Sequence, residues 1–212
     1  TSWQDAAQTS LPNEYPVSSL QMGMLFHSQM TQQSISYHDI SSYRLDFLVD
    51  VDALKAVLET LVQRHEILRT VFDLSNPTHP VQRVLPRHEV PLSVVDLQAE
   101  NEDSQGFALE NGLKAEKRRG FAWDKTPPWR VIVHLLSAQQ SQVSLSFHHA
   151  LLDGWSEASL MSELLGQYRH YLATRTLNQA PLKVQYRDFI QQEQAALLDP
   201  AQQAFWTDYL AG

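Results

Sequence analysis

An alternating stretch that ends in two adjacent histidines constrains the fold more than any other segment. From Gln142 to Phe147 every second residue is apolar, which is typical of a strand with one buried face. If the alternation continues, His149 shares the face of Phe147, and His148 lies on the opposite face. Asp153 and Gly154 then form a turn signal, and a helical pattern follows. The sequence therefore predicts that both histidines lie where a strand enters a loop, a common position for functional side chains.

Patterns in the rest of the chain predict a mixed α+β fold. Apolar residues from 53 to 65 recur at i, i+3, i+4 and i+7, which is typical of an amphipathic helix. Further helices are predicted over 20–30, 157–173 and 186–198, from Pro200, and toward the end of 100–119. Strands are predicted over 37–47, 67–72, 81–85, 92–95 and 129–136. Because strands and helices are mixed, we expect an αβ sandwich of one sheet with covering helices.

The ends and loops of the chain are less patterned. We expect residues 1–14 to form a flexible lead and Thr31 to Ser36 to form a loop. No linker divides the remaining residues, so 15–212 are interpreted as one unit. The chain opens without Met and ends after a stretch with a helical pattern, so we expect it to be a piece of something longer.

Composition excludes several kinds of function. Sixteen basic and 24 acidic residues give a formal net charge of −8, which argues against nucleic acid and anionic membranes as partners. The absence of cysteine excludes disulfides, thiolate metal sites and a cysteine nucleophile. The first residues lack the layout of a secretory signal, and no apolar run approaches the roughly 18 residues that span a bilayer. We therefore expect a cytoplasmic protein.

His148, His149 and Asp153 allow three interpretations from chemistry alone. A histidine can take or give a proton near neutral pH, and a nearby aspartate can orient its ring, so proton-transfer catalysis is one. A divalent metal site is the second, since His149 and Asp153 are four residues apart, although no further ligand cluster is evident. The third is a pair of histidines that only pack in a turn.

The complete string is more specific than the histidine pair. His148-His149-Ala150-Leu151-Leu152-Asp153-Gly154 resembles the HHxxxDG motif of the condensation domains of nonribosomal peptide synthetases, in the chloramphenicol acetyltransferase-like superfamily. Residues 18–27 resemble the first motif of that family, Arg64 to Phe72 its second, and Tyr186 to Phe189 its fourth. These matches occur in the expected order over residues 18–189, so the resemblance covers nearly the whole chain.

The resemblance implies a V-shaped domain of two similar lobes with the histidine motif facing a tunnel between them. Residues 15–212 would be the N-terminal lobe, with the C-terminal lobe absent from this chain. The implied reaction is amide-bond formation between a carrier-bound acyl or peptidyl thioester donor and an aminoacyl thioester acceptor. Upstream and downstream peptidyl carrier domains would present both substrates on 4'-phosphopantetheine, with no cofactor or metal bound directly. An adenylation domain of the same synthetase is a further implied partner, and the isolated fragment is expected to be inactive.

The resemblance also implies roles for individual residues. His149 is the catalytic candidate, as a base or as a group that stabilises the tetrahedral intermediate. His148 is expected to support it locally. By resemblance, Asp153 is an anchor paired with Arg69, so Asp153→Ala should disrupt folding or the placement of the loop.

Gly154 and Trp155 have supporting roles in this interpretation. Gly154 either offers a backbone N–H near the developing oxyanion or permits the turn. Trp155 is expected to pack rather than to contact substrate.

Several related functions are also compatible with the histidine motif. An epimerization domain shares it, but Arg64 to Phe72 and Asp153 to Ser156 resemble the condensing branch more closely. A cyclization domain is disfavoured because its motif has an aspartate in place of the first histidine. A stand-alone acyltransferase of the same superfamily and a non-catalytic carrier-docking module both stay open as functions.

Overall fold

A computed structural model describes residues 13–30 and 36–211, in which strands and helices are mixed along the chain. The helices are α1 (Ser19–Met30), α2 (Val51–Arg64), α3 (Glu102–Arg118), α4 (Gly154–Thr174), α5 (Tyr186–Leu198) and α6 (Pro200–Leu210). The strands are β1 (Glu14–Pro16), β2 (His38–Leu45), β3 (Thr70–Asp73), β4 (Val81–Val84), β5 (Leu92–Asp96), β6 (Trp129–Ser137) and β7 (Gln140–His148). The α+β prediction is confirmed, and the fold is that of one chloramphenicol acetyltransferase-like lobe.

The larger sheet has four strands in the order β2-β7-β6-β5. Strands β6 and β7 form an antiparallel hairpin, β2 pairs antiparallel with β7, and β5 pairs parallel with β6. On β7 the alternation continues as predicted: Val143, Leu145 and Phe147 belong to the hydrophobic core. The intervening residues of β7 are also buried, so both faces of this strand are covered.

Helices α2 and α4 pack on each other and contribute to the core on one side of this sheet. Leu54, Val57, Leu58 and Leu61 of α2 are all buried, at the spacing that the sequence indicates. Asp50 begins this helix by accepting a hydrogen bond from the backbone N–H of Ala53 at 2.9 Å. Each fully buried leucine stabilises the fold by about 1.5–3 kcal/mol relative to an exposed one, which fixes α2 against the sheet.

The structure contains a second sheet, whereas the sequence predicts only one. Strands β1, β4 and β3 form a three-stranded antiparallel sheet, with β4 in the centre. The backbone N–H of Phe72 in β3 donates to Trp123 O at 2.7 Å, so a loop carbonyl satisfies this donor. The strand predicted over 67–72 is also shorter than expected, because a 3₁₀ helix (Glu66–Arg69) replaces its first residues.

Several boundaries differ from the sequence prediction. Residues 1–12 of the predicted lead and 31–35 of the predicted loop lie outside the described residues, and β1 already begins at Glu14. Helix α3 begins at Glu102 and runs through the whole charged segment, because Asn101 caps its first turn. Helix α4 begins at Gly154, three residues earlier than predicted, because Asp153 caps it. None of the described helices is long and apolar enough to cross a membrane.

Candidate active site

His149 lies one residue beyond the end of β7 and is held by β2. Its backbone N–H donates to Tyr37 O at 2.7 Å, which extends the pairing of β2 and β7 by one step. Its ring Nδ1 lies 3.0 Å from Asp39 Oδ2. The side chain is 38% exposed, so the ring is anchored on one edge and open to solvent on another. This arrangement leaves Nε2 as the ring nitrogen available to a substrate.

Asp39 is a site residue that sequence reasoning missed. It pairs with Phe147 across the strands, and Tyr37 stands opposite His149, so Asp39 and His149 are diagonal neighbours on one sheet face. Only the register of β2 on β7 identifies Asp39, because that register puts the side chains of residues 39 and 149 within hydrogen-bonding distance of each other. The sequence pattern of either strand alone does not contain that register.

His148 occupies the opposite face, as the alternation predicts, and is only 3% exposed. Its Nδ1 accepts a hydrogen bond from the backbone N–H of Ala150 at 3.1 Å. In the neutral ring Nε2 therefore carries the proton and donates it to Ser28 Oγ at 3.0 Å. Burial lowers the pKa of His148 to about 4, with smaller contributions from His38 and His149. A neutral, fully engaged imidazole is suited to support rather than to proton transfer at neutral pH.

A buried polar network continues on the same face as His148, beneath α3. Glu116 Oε1 accepts from Arg130 Nε at 2.5 Å and from Ser146 Oγ at 2.7 Å. Because the hydroxyl of Ser146 donates to Glu116, the Nε2–H of His38 donates to Ser146 Oγ, at 2.7 Å. Burial is the largest cause that lowers the pKa of His38 to about 4, so this ring is neutral and forms no ion pair with Glu116 at 4.0 Å. These groups hold α3 on the sheet.

The predicted pair of Asp153 and Arg69 does not form. Asp153 Oδ1 accepts from the backbone N–H of Ser156 at 2.7 Å, and the hydrogen bonds from Ser156 lower the pKa of this exposed carboxyl. Arg69 donates instead to the backbone carbonyls of Val62 at 2.9 Å and Leu85 at 2.5 Å. The prediction of this pair is wrong because each charge satisfies backbone groups nearer to it. For Asp153 those are N–H groups at the start of α4, and for Arg69 they include a carbonyl at the end of α2.

Charged residues of the second motif instead tie the end of α2 and the following 3₁₀ helix to later helices. Arg64 Nε lies 3.1 Å and His65 Nε2 lies 2.8 Å from the carboxylate of Glu163 on α4. Glu66 accepts two hydrogen bonds from the guanidinium of Arg187 on α5, at 2.7 and 2.9 Å. The motif therefore acts in this structure as a junction between helices around the site.

A cavity of about 610 Å³ adjoins His149. Its lining includes His149, Asp153 and Trp155, but neither His148, Gly154 nor Arg69. The remaining walls come from α1, the 3₁₀ helix, α4 and α5, with lining residues such as Leu20, Met24, Ile67, Leu160 and Phe189. The site thus brings together three of the six residues that the sequence singles out.

Trp155 and Gly154 differ from their expected roles. Trp155 is 86% exposed at the rim of the cavity, so the prediction that it packs is wrong. It lies in the first turn of α4, which faces away from the core at this point. Gly154 is the first helical residue and does not have a positive φ, and a Cβ there would meet nothing within 4 Å. Neither backbone strain nor close packing requires glycine at this position.

A metal site at His149 and Asp153 would need further ligand side chains close by. Within residues 13–30 and 36–211 no group of three or more histidine, aspartate or glutamate side chains is placed to hold a metal ion. The Asp153 carboxylate is engaged by the first turn of α4, and the Nδ1 of His149 by Asp39.

Known proteins resemble this chain in sequence and in structure. The AMB antimetabolite synthetase AmbE of Pseudomonas aeruginosa is 33% identical over 205 residues, which are 95% of this chain and 10% of that protein. Bacitracin synthase 1 of Bacillus licheniformis is 32% identical over 204 residues, which are 93% of this chain and 4% of that protein. The chain therefore spans a tenth or less of the length of these two relatives.

Two solved structures give the structural comparison. The complex of the X-domain and OxyB from teicoplanin biosynthesis matches with a TM-score of 0.79 and 26% identity, over 96% of this chain and 45% of that chain. The starter condensation domain of rhizomide synthetase RzmA matches in fold with a TM-score of 0.82 and 17% identity, over 94% of this chain and 48% of that one. The family model of the condensation domain matches residues 12–212. The chain therefore belongs to the condensation domain family of nonribosomal peptide synthetases.

Proposed function

We propose that this chain supplies the catalytic histidine, His149, for amide-bond formation between an acyl or peptidyl thioester and an aminoacyl thioester. The observation that carries the proposal is the position of the His149 ring: Nδ1 is engaged by Asp39, while Nε2 is free to meet a reactant beside a cavity. Family membership gives the reaction class. His148 is buried and fully hydrogen-bonded, which leaves His149 as the reactive member of the pair.

The chemistry needs one group that handles a proton at the acceptor nitrogen. The α-amine must be uncharged to attack the thioester carbonyl, and the resulting tetrahedral intermediate carries a positive nitrogen and a negative oxygen. Nε2 of His149 either accepts the proton from the nitrogen or donates a hydrogen bond that stabilises the intermediate. The oxyanion then re-forms the carbonyl, the C–S bond breaks, and the thiolate leaves and takes up the proton that the nitrogen has lost.

The substrates are proposed to arrive on 4'-phosphopantetheine arms of upstream and downstream peptidyl carrier domains in the cytoplasm. An adenylation domain of the same synthetase would load the acceptor. The His149 side chain is partly exposed, and the chain covers 45% of the X-domain structure and 48% of the RzmA structure. These observations support a second lobe that closes over the site, so we expect the 212-residue piece alone to form no amide.

The test uses the complete condensation domain with donor and acceptor carriers that are loaded with their substrates. His149→Ala is expected to lower the rate of amide formation by about 100- to 10,000-fold, because general acid–base groups contribute about that much. His170→Ala is the matched control, since His170 is an exposed histidine on α4. Undiminished product from His149→Ala would remove His149 from the mechanism, and amide formation by the 212-residue piece would contradict the need for a second lobe.

A second candidate function is a docking module without turnover. One observation favours it: the X-domain, a structural relative with 26% identity, has been solved in a complex with OxyB. If the complete domain binds loaded carriers but forms no product even with an intact His149, docking is the better description. Chiral analysis of the aminoacyl thioester in the same reactions would detect epimerization, and an added soluble acceptor would report stand-alone acyl transfer.

A further inference from the structure

We propose that Asp39 is a positioning residue that holds the His149 ring with its proton on Nδ1 and its lone pair on Nε2. The inference rests on the proposed function, because it assigns Asp39 a role in the reaction through His149. It concerns a residue of β2 that lies outside the family motifs at residues 18–27, 64–72, 148–154 and 186–189. The contact that carries it is the 3.0 Å separation of Asp39 Oδ2 and His149 Nδ1.

The contact is built into the sheet rather than into a loop. Asp39 stands opposite Phe147 in the antiparallel register of β2 and β7, and the register continues to Tyr37, whose carbonyl accepts the backbone N–H of His149 at 2.7 Å. Diagonal neighbours on one face of a pair lie about 7–8 Å apart, which is within reach of an aspartate and an imidazole. The backbone and the ring of His149 are therefore fixed by one three-residue segment, Tyr37 to Asp39, at the start of β2.

The chemistry of the contact defines the tautomer. An ionised carboxylate accepts hydrogen bonds and does not donate them, so Nδ1 must carry the proton in this pair. In the neutral ring the lone pair then belongs to Nε2, which is the form needed to accept a proton from an amine. Among the described residues Nε2 has no hydrogen-bond partner. Asp39 thereby selects both the orientation and the protonation pattern that proton transfer requires.

The hydrogen bonds of His148 give that ring a different tautomer from the one that Asp39 gives to His149. The ring of His148 is protonated on the other nitrogen, because the backbone N–H of Ala150 donates to its Nδ1. Two adjacent histidines therefore have opposite tautomers, and only the one held by Asp39 presents a lone pair to the accessible side. Asp39 is itself 44% exposed in its side chain, so water can partly replace it. The expected effect of removing it is correspondingly smaller than the effect of removing His149.

The first measurement reads the tautomer and does not depend on turnover. In the complete domain labelled with ¹⁵N in histidine, the His149 resonances are those that disappear in His149→Ala. In the wild type we expect a protonated Nδ1 and an unprotonated Nε2. Asp39→Ala should lose this preference, and Asp39→Glu should keep it because the carboxylate remains. A wild-type tautomer in Asp39→Ala would overturn the proposal.

The second measurement reads amide formation by the same variants with loaded donor and acceptor carriers. Asp39→Asn and Asp39→Ala should lower the rate at saturating substrate by about 10- to 100-fold, because a misaligned base transfers protons poorly. Asp39→Glu should recover most of the rate. The control is Asp46→Asn, since Asp46 is an exposed aspartate just beyond the end of β2, and it should keep the wild-type rate.

The outcomes distinguish this inference from the proposed function. An altered tautomer with an unchanged rate, or a reduced rate with an unchanged tautomer, would overturn the positioning role. If Asp39→Ala keeps the wild-type rate while His149→Ala is inactive, only the role of Asp39 fails. If His149→Ala keeps full activity, the proposed function fails and the catalytic role of Asp39 fails with it. Melting temperatures of all variants show whether a lost rate reflects unfolding.

Discussion

Neighbouring histidines on the two sides of the larger sheet differ in burial and in hydrogen bonding. On the side that α3 covers, His148, His38 and Glu116 are buried, and their polar atoms are hydrogen-bonded to one another or to adjacent groups. On the cavity side, His149 and Asp39 are partly exposed and form a single side-chain contact. A shift of one residue along β7 therefore separates an imidazole that stabilises the fold from one that is available for chemistry. The difference arises from burial, because the residue type is the same.

The comparison implies that substitutions on the α3 side change stability, whereas those on the cavity side change the reaction. Buried polar groups stabilise a fold only while all their partners are present, because a buried group left without a partner is costly. Removing the partner of an exposed group costs little stability, because water replaces the lost partner. Substitutions of Glu116, His148 and Asp153, together with a change of pH, test this division.

Glu116→Ala should be the most destabilising of these substitutions. It leaves the guanidinium of Arg130 partly buried without its carboxylate, and breaking a buried pair costs about 3–5 kcal/mol. The free energy of unfolding, measured with denaturant, should fall by about that amount. Glu110→Ala on the exposed side of α3 is the control and should leave the unfolding midpoint nearly unchanged. Equal effects of the two substitutions would contradict a special role of the buried network.

Acidification should destabilise the α3 side before carboxylates titrate. Burial lowers the pKa values of His38 and His148 to about 4, so the folded state keeps both rings neutral while the unfolded state protonates them below about 6.5. Stability from this source is complete above about pH 6.5 and is lost as the pH falls toward 4. The slope should reach about 1.4 kcal/mol per pH unit for each histidine.

Denaturant unfolding between about pH 6.5 and 5 measures the slope, because most carboxylates titrate at lower pH. Burial also lowers the pKa values of His88 and His134, so the share of one ring is read from a variant that lacks it. His148→Gln should flatten the dependence, since the contribution of the His148 ring is then removed. A free energy of unfolding that stays constant over this interval would show that the two rings are not held neutral by the fold.

His148→Ala should lower the free energy of unfolding, whereas the folded variant should form amide at a rate closer to that of the wild type. The substitution leaves the backbone N–H of Ala150 and the hydroxyl of Ser28 without their partners, and an unsatisfied buried group costs about 1–3 kcal/mol. Denaturant unfolding and amide formation at a temperature where the variant is folded measure the two effects. Ser28→Ala is the milder comparison because it removes one hydrogen bond only. A loss of rate as large as that of His149→Ala would place His148 in the reaction itself.

Asp153→Ala should have the smallest effect of the four changes. The carboxylate caps α4 through the backbone N–H of Ser156, and losing such a cap costs about 1 kcal/mol. Asp153→Ser keeps a capping oxygen and should be close to the wild type in denaturant unfolding. If Asp153→Ala lowered the free energy of unfolding by several kcal/mol, the result would favour a buried ion pair between Asp153 and Arg69.

The sequence predicts the parts of this molecule that depend on local pattern. Alternation along β7 gives the opposite faces of His148 and His149, because neighbouring strand residues point to opposite sides wherever the strand lies. The apolar spacing of α2 similarly gives its buried face. The family motifs identify the domain and its candidate histidine without any three-dimensional information.

The sequence does not predict features that depend on contacts between distant segments of the chain. The contact between Asp39 and His149 requires the register of two strands whose residues are 110 positions apart. The three-residue strand β1 is too short to show a pattern, so the sequence does not predict the second sheet. Arg69 and Asp153 both have helix ends nearby, and these nearer partners outweigh a long-range pair. Trp155 is apolar, but the direction of the first turn of α4 leaves it exposed.

The separation between β2 and β7 also has a consequence for synthesis of the chain. Strand β2 emerges from the ribosome about a hundred residues before β7, its hydrogen-bonding partner in the sheet. At about 5–20 residues per second this delay lasts roughly 5 to 20 s. During that interval the backbone of β2 lacks its sheet neighbour, and contacts of high sequence separation form slowly. The pairing that brings Asp39 to His149 thus becomes possible only once residue 149 of the nascent chain has emerged.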